Sequence, residues 1–230
     1  MAQVLLVTPV KKELDSLASF FGSRGYGAEV LDCRVPAFTI ETLSLVCAAA
    51  GHGKAQFAIG TQYIVDSHGP FTAIVAAGVA GALDKGLAAG DVVVGTESIE
   101  HDYKPRFHGV GPPPRHASAP ELVASIRSAE PGETGFRVLT GPIAGGDEDI
   151  ISPARAENLK ELTGALCVAW EGAGGARAAK FNDIPFVEIR AVSDAADDSA
   201  SDDYKFNLEA SMTNLGILLL RWLETDRRQI

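Results

Sequence analysis

The sequence predicts an α/β fold with three layers, in which a twisted mixed sheet is flanked by helices on both faces. One observation behind this prediction is that short apolar runs typical of strands alternate with segments whose apolar residues recur at helical spacing. The other is the length. The 230 residues suit one compact domain with one core, so we expect residues 1–230 to form a single domain.

The first half of the chain opens with a strand, a turn and a helix. Gln3 to Thr8 is a nearly continuous apolar run that predicts a buried strand, and the helical pattern after it stops at Gly22 and Gly25. Further predicted elements are strands at 28–31, 37–40, 43–48 and 71–77 and a helix from 54 towards 68.

The second half continues the alternation. Ser152 is expected to cap one of its helices. The segment 103–116 contains four prolines, so we expect no regular element there and regard it as a candidate lid or subunit contact. The predicted elements are strands at 91–100, 135–140, 165–170 and 185–192 and helices at 121–128, 153–163, 172–181 and 203–223, followed by a charged tail.

Composition excludes several classes of function. The net charge of −10, without a basic block, argues against a nucleic-acid partner. No apolar run is long enough to cross a bilayer, and the N-terminus does not read as a signal peptide. Three widely spaced cysteines predict neither a disulfide framework nor a zinc site, so we expect a cytoplasmic setting and no metal.

Four predicted strand ends carry polar or glycine-rich sequence. In open α/β sheets, ligands bind beyond the carboxyl ends of the strands, so these positions are candidates for a site. Glu13 follows the first strand, although it would also complement a helix dipole. The sequence 78–81 is expected to form a glycine-bearing turn, and Glu171 opens a helix made almost wholly of glycine and alanine.

The fourth strand end is the most informative. A buried strand that ends in Arg190, Ser193 and Asp194 is difficult to explain by packing alone, because buried polar groups are costly without partners. This segment is therefore the leading candidate for chemistry.

The series of these segments resembles the nucleoside phosphorylase and nucleosidase family, in particular the 5′-methylthioadenosine/S-adenosylhomocysteine nucleosidases. The resemblance spans nearly the whole chain. It implies the nucleoside phosphorylase fold, cleavage of a purine nucleoside as the small-molecule substrate, a homodimer, and no cofactor. The matching segments are Glu13, 51–54, 78–81, His101-Asp102 and 190–194.

The resemblance also implies roles for individual residues. Asp194 corresponds to the acid that protonates the departing purine, and apolar neighbours would keep it protonated near neutral pH. Glu13 corresponds to the base that activates water, and Glu171 to the carboxylate that binds the ribose hydroxyls. The logic parallels glycoside hydrolysis, in which one acid and one base flank an oxocarbenium-like transition state.

The remaining implied site residues shape the pocket. Ser193 would orient Asp194, and Arg190 would lie near the nucleophile. Trp170 stands where the family has a methionine beneath the ribose, and Asp149 where an aromatic residue covers the base. These departures leave a futalosine hydrolase-like activity open as an alternative. Ala80, Gly81 and Ile150 are further expected lining residues.

The attacking group is open between water and phosphate. A phosphorylase needs an anion site, but Val79 cannot donate a side-chain hydrogen bond to phosphate. Hydrolysis is therefore favoured, while Lys11 and Arg190 keep phosphorolysis open.

Catalysis itself is also open, because the chain could be a catalytically inactive nucleoside-binding module. The three acids Glu13, Glu171 and Asp194 argue against this reading, since a pure binder has little need of them. The histidines lack metal-ligand spacing, and His101-Asp102 is expected to brace the pocket wall.

Overall fold

The computed structural model describes residues 3–105, 107, 109, 111–132 and 135–226. Of the charged tail predicted after residue 223, residues 227–230 lie outside them, as do residues 106, 108 and 110 of the segment proposed as a lid. The strands are β1 (Gln3–Thr8), β2 (Glu29–Val30), β3 (Ala37–Ile40), β4 (Leu45–Ala49), β5 (Phe71–Ala82), β6 (Val92–Glu100), β7 (Arg115–Ala117), β8 (Val138–Gly145), β9 (Cys167–Ala169) and β10 (Phe186–Asp194). The α-helices are α1 (Lys11–Ser23), α2 (Lys54–His68), α3 (Pro120–Ser128), α4 (Pro153–Thr163), α5 (Gly172–Phe181) and α6 (Ala200–Asp226).

The strands form one mixed sheet, as the sequence predicts. Along it the order is β10-β6-β8-β9-β5-β1-β4-β3-β2, and β7 pairs with β6. Because β10 also pairs with β5, five of the strands close into a ring. The neighbours β4, β1, β5 and β10 run parallel, so their carboxyl ends meet at one edge of the sheet.

Helices cover both faces of this sheet and give it three layers. On one face, apolar residues of α1, α3 and α6 pack with inward-facing sheet residues such as Leu6 and Val75. On the other face, α2 and α5 pack with Leu5, Val7 and Ile74. Consecutive residues of β1 thus enter opposite cores, which is the expected pattern for a strand buried on both sides.

One predicted turn is wrong. The sequence 78–81 lies inside β5, which continues to Ala82 rather than ending at Ala77. Its glycines allow site side chains to approach the backbone closely and do not form a turn. A Cβ on Gly78 would lie 2.7 Å from Glu13 Oε1, and one on Gly81 would lie 2.7 Å from Asp194 Oδ1.

A second difference concerns β8, which runs from Val138 to Gly145 rather than from 135 to 140. Gly135 has a φ of +78°, which ends extended backbone on that side. On the other side the strand passes through Gly141, where a Cβ would lie 2.6 Å from Leu166 Cδ1. Glycine here allows close packing, not a break in the strand.

Two local predictions also need correction. Ser152 occupies the N-cap position of α4 with extended backbone, but its side chain makes no capping hydrogen bond. Arg115 and His116, expected to be irregular, belong to β7, which is short and pairs with β6. Among the described residues, no helix has the length and apolarity needed to span a membrane.

Candidate active site

A cavity of about 350 Å³ lies at the carboxyl ends of the parallel strands. Every site residue predicted from the sequence lines it. They are Glu13, Ala80, Gly81, Ile150, Trp170, Glu171, Arg190, Ser193 and Asp194.

Asp194 is the last residue of β10 and reaches this cavity half-buried. Its Oδ2 accepts a hydrogen bond from Ser193 Oγ at 2.7 Å, and its Oδ1 accepts one from the backbone N–H of Ala196 at 2.9 Å. Burial raises the pKa of Asp194 despite these donors, and the negative charges of Asp203 and Asp197 add to the effect. The environment therefore favours the protonated acid.

Glu13 projects from the first turn of α1 into the same cavity. Its Oε1 accepts the backbone N–H of Val79 at 2.9 Å, and its Oε2 accepts that of Val10 at 3.4 Å. Burial raises the pKa of Glu13 to about 7, although Arg190 and the Val79 N–H act in the opposite direction. A carboxyl group with this pKa can accept a proton near neutral pH.

Arg190 lies beneath these groups and is almost completely buried. Its Nε donates to Glu188 Oε1 at 2.9 Å, its Nη2 to Glu171 Oε2 at 3.1 Å, and its Nη1 to the carbonyl of Val79 at 3.4 Å. Glu188 is fully buried and also accepts Ser98 Oγ at 2.5 Å. The arginine thus holds two buried carboxylates at once.

Glu171 is the N-cap residue of α5 and is held from two sides. Arg190 binds Oε2, while His52 Nδ1 lies 3.3 Å and the Gly53 N–H 3.2 Å from Oε1. Burial alone would raise the pKa of Glu171, but His52, Arg190 and the Gly53 N–H together lower it. Glu171 is therefore an ionised acceptor in the same cavity as Glu13 and Asp194, whose surroundings favour the protonated form.

The loop after β8 closes another side of the cavity and carries Asp149 and Ile150. Asp102 braces this loop, because it accepts the Asp147 N–H at 2.9 Å and Lys54 Nζ at 2.5 Å. The predicted structural role of the His101-Asp102 pair is consistent with these contacts.

Sequence reasoning assigned no role to Glu188, His52 or Tyr204, which lie at the site. Glu188 pairs with Arg190 two residues away, and the Glu-x-Arg alternation on one strand is the signal that could have found it. His52 lacks metal-ligand spacing, although its glycine neighbours mark a special loop. Tyr204 lines the cavity from α6, where it reads as an ordinary amphipathic position.

Fold and site together define a class: an α/β protein with a cavity at the carboxyl ends of parallel strands, lined by the carboxyl groups of Glu13, Glu171 and Asp194, whose pKa values are shifted in opposite directions. Residues 3–224 match the model of the phosphorylase superfamily, and the chain belongs to this superfamily.

Relatives and solved structures agree with this assignment. A 5′-methylthioadenosine/S-adenosylhomocysteine nucleosidase of an Exiguobacterium species is 31% identical over 179 residues, covering 75% of this chain and 76% of the relative. That of Halalkalibacterium halodurans is 28% identical and covers 96% and 97%. The crystal structure of the Neisseria meningitidis nucleosidase with methylthio-immucillin-A has a TM-score of 0.86 at 27% identity, covering 98% of this chain and 100% of that one.

Proposed function

We propose that this chain is a nucleosidase that hydrolyses the N-glycosidic bond of an adenine-type purine nucleoside with a substituent at the 5′ position. One observation carries the proposal. Two carboxyl groups with raised pKa, Asp194 and Glu13, line the same cavity as an ionised carboxylate, Glu171. Breaking a glycosidic bond with water requires an acid, a base and a stabiliser of positive charge.

Asp194 is the proposed acid. As the bond between the anomeric carbon and the base nitrogen breaks, its electron pair goes to the purine. Protonation of the purine ring by Asp194 neutralises the negative charge that would develop there. Ser193 fixes the carboxyl group through the 2.7 Å contact to Oδ2. The role of Asp194 requires that it hold its proton, which burial favours.

Glu13 is the proposed base. A water molecule attacks the anomeric carbon, forms the new C–O bond and transfers a proton to Glu13. The products are the free base and the free sugar. Glu171 binds the ribose hydroxyls, and its negative charge stabilises the positive charge that builds on the ribose ring in the transition state.

Contacts of the two candidate phosphate-binding cations support water as the nucleophile. Each of the three guanidinium nitrogens of Arg190 already donates to a protein acceptor. Lys11 is mostly exposed and pairs with Asp15 at 2.6 Å on the surface of α1. The backbone N–H of Val79 donates to Glu13, so this donor is already occupied and does not serve a phosphate. Hydrolysis is therefore favoured over phosphorolysis.

The adenine-type substrate is inferred from the relatives, which are named for methylthioadenosine and S-adenosylhomocysteine. Trp170 and Asp149 line the cavity at positions where the family pattern differs, so the preferred 5′ substituent is open to test.

We also propose a homodimer in the cytoplasm. Ile59 on α2 and Phe181 at the end of α5 are 63% and 80% exposed, and these two helices pack together. A second copy of the chain would cover such apolar groups. The three cysteines are free thiols, which is compatible with a reducing compartment. Sedimentation velocity at micromolar concentration tests the dimer.

Base release tests the proposed activity. The purified protein is incubated with adenine and hypoxanthine nucleosides that carry small, charged or long apolar 5′ groups, with and without phosphate. We expect adenine release without phosphate and a free sugar as product. Strict dependence on phosphate, with a sugar 1-phosphate as product, would identify a phosphorylase, whereas binding without release of base would identify a binding module. Preference for hypoxanthine nucleosides would instead favour the futalosine hydrolase-like alternative.

A further inference from the structure

His52 is brought to the cavity by an unusual loop between β4 and α2. The glycines on either side, Gly51 and Gly53, have φ values of +118° and +80°, which side chains rarely tolerate. The loop delivers two groups to one oxygen of Glu171: the Gly53 N–H at 3.2 Å and His52 Nδ1 at 3.3 Å. Its backbone is thus shaped around this carboxylate.

The imidazole of His52 has a second contact that fixes its orientation. Its ring stacks on the indole of Trp170, with centroids 4.2 Å apart and planes 31° from parallel. Trp170 and Glu171 are consecutive, so one imidazole clamps two neighbouring residues of the β9–α5 junction. The side chain of His52 is still 57% exposed, which places it at the mouth of the cavity.

We propose that His52 is a positioning residue that, with Arg190 on the opposite oxygen, fixes the Glu171 carboxylate for the ribose hydroxyls. The inference rests on the proposed function, since it assigns a partner to the sugar-binding group. A carboxylate held at both oxygens loses little freedom when the sugar binds, which favours a well-aligned complex.

The charges around the imidazole strengthen this contact. The hydrogen bond to Glu171 raises the pKa of His52, burial opposes the rise, and the charges of Glu171, Asp149 and Glu13 reinforce it. Below its pKa the protonated ring is a stronger donor. Above its pKa the ring loses its charge, so the Glu171 contact weakens and KM for ribosides rises.

Two matched variants separate the donor from the ring. His52→Phe keeps an aromatic ring to stack on Trp170 but removes the donor, while His52→Gln keeps a donor but removes the stacking and the titration. Each is assayed on a riboside and on its 2′,3′-dideoxy analogue, which lacks the hydroxyls that Glu171 binds. We expect His52→Phe to lower kcat/KM for the riboside about tenfold, mostly through KM, with little change for the dideoxy analogue.

His52→Gln should recover part of this loss and remove the alkaline rise in KM. Equal losses for both substrates in His52→Phe would overturn the positioning role, because a merely structural residue would not distinguish them. Wild-type protein that releases no base from any nucleoside would instead contradict the proposed function. NMR titration of the His52 imidazole checks the contact without turnover. Its pKa should fall in Glu171→Gln, and an unchanged pKa would also overturn the inference.

Discussion

Glu188 and Arg190 lie two residues apart on β10, and their buried side chains are joined by a 2.9 Å hydrogen bond from Arg190 Nε. Side chains two apart on a strand point to the same face. The two side chains therefore lie together on the face of β10 next to the cavity, which Arg190 lines. Arg190 also donates a hydrogen bond to Glu171, and its positive charge lowers the pKa of Glu13. Arg190 is therefore the cation shared by three buried carboxyl groups, Glu188, Glu171 and Glu13.

Removal of Arg190 should destabilise the fold in a pH-dependent way. Arg190→Met leaves Glu188, Glu171 and Glu13 buried together without their shared cation. Breaking a buried ion pair from one side costs about 3–5 kcal/mol. The loss should be greater at pH 8 than at pH 5.5, because the unpaired carboxyl groups bind protons more tightly in the folded state and acid relieves their repulsion.

Urea unfolding followed by circular dichroism at the two pH values measures this effect. Lys11→Met is the matched control, since Lys11 forms a surface pair with Asp15 and its loss should cost about 1 kcal/mol or less. Equal losses for the two variants, or no dependence on pH, would contradict the role given to Arg190.

Glu13 should make the wild-type protein less stable as pH rises. Its pKa increases from 4.5 to about 7 on folding, so the folded state binds the proton more tightly than the unfolded state. Between these pH values stability falls by about 3 kcal/mol, at about 1.4 kcal/mol for each pKa unit. Glu13→Gln lacks this titration and should gain stability relative to wild type between pH 4 and pH 8.

The same variant should lose turnover by about 10²- to 10⁴-fold if Glu13 is the base. Denaturant unfolding and base release are measured on one preparation. A parallel pH dependence of stability in Glu13→Gln and wild type would show that another group titrates in this range.

The small residues of α5 should be intolerant of added volume. A Cβ on Gly174 would lie 2.2 Å from the backbone carbonyl oxygen of Lys54, so Gly174→Ala must push α5 away from α2. We expect a loss of about 1–3 kcal/mol. Gly22→Ala is the control within a helix, because apart from its chain neighbours and the backbone of its own helix no described atom lies within 4 Å of the added Cβ, and it should gain up to about 1 kcal/mol. Thermal unfolding distinguishes them, and similar melting temperatures would contradict the packing argument.

The sequence predicts the fold well because its elements have strong local signals. The apolar run of β1, the proline that opens α4 and the small-residue helix α5 are found at their predicted positions. Predictions fail where a glycine is required by contacts with residues distant in sequence rather than by a local turn. Gly78 and Gly81 read as a turn, yet they lie in β5 to make room for Glu13, Arg190 and Asp194, which are distant in sequence.

In the candidate site too, residues with a local sequence signal can be predicted, and those that depend on distant contacts cannot. Asp194 and Glu171 can be found because each ends an apolar segment with a lone acid. The role inferred for His52 cannot be found in this way, because it depends on contacts with Trp170 and Glu171, more than a hundred residues away. The ionisation of Glu13 likewise depends on burial that only the assembled sheet creates.

The central claim is that Asp194 protonates the departing purine, and Asp194→Asn tests it most directly. The amide keeps the size of the side chain and an acceptor for the Ser193 hydroxyl but cannot deliver the proton. Asp197→Asn is the control, because Asp197 is a neighbouring acid whose charge makes only a minor contribution to the raised pKa of Asp194. Base release and nucleoside binding by calorimetry are measured for both. We predict that Asp194→Asn loses turnover at least 10³-fold while binding the nucleoside within about threefold of wild type, and that Asp197→Asn retains both. Turnover by Asp194→Asn at the wild-type rate would contradict the account.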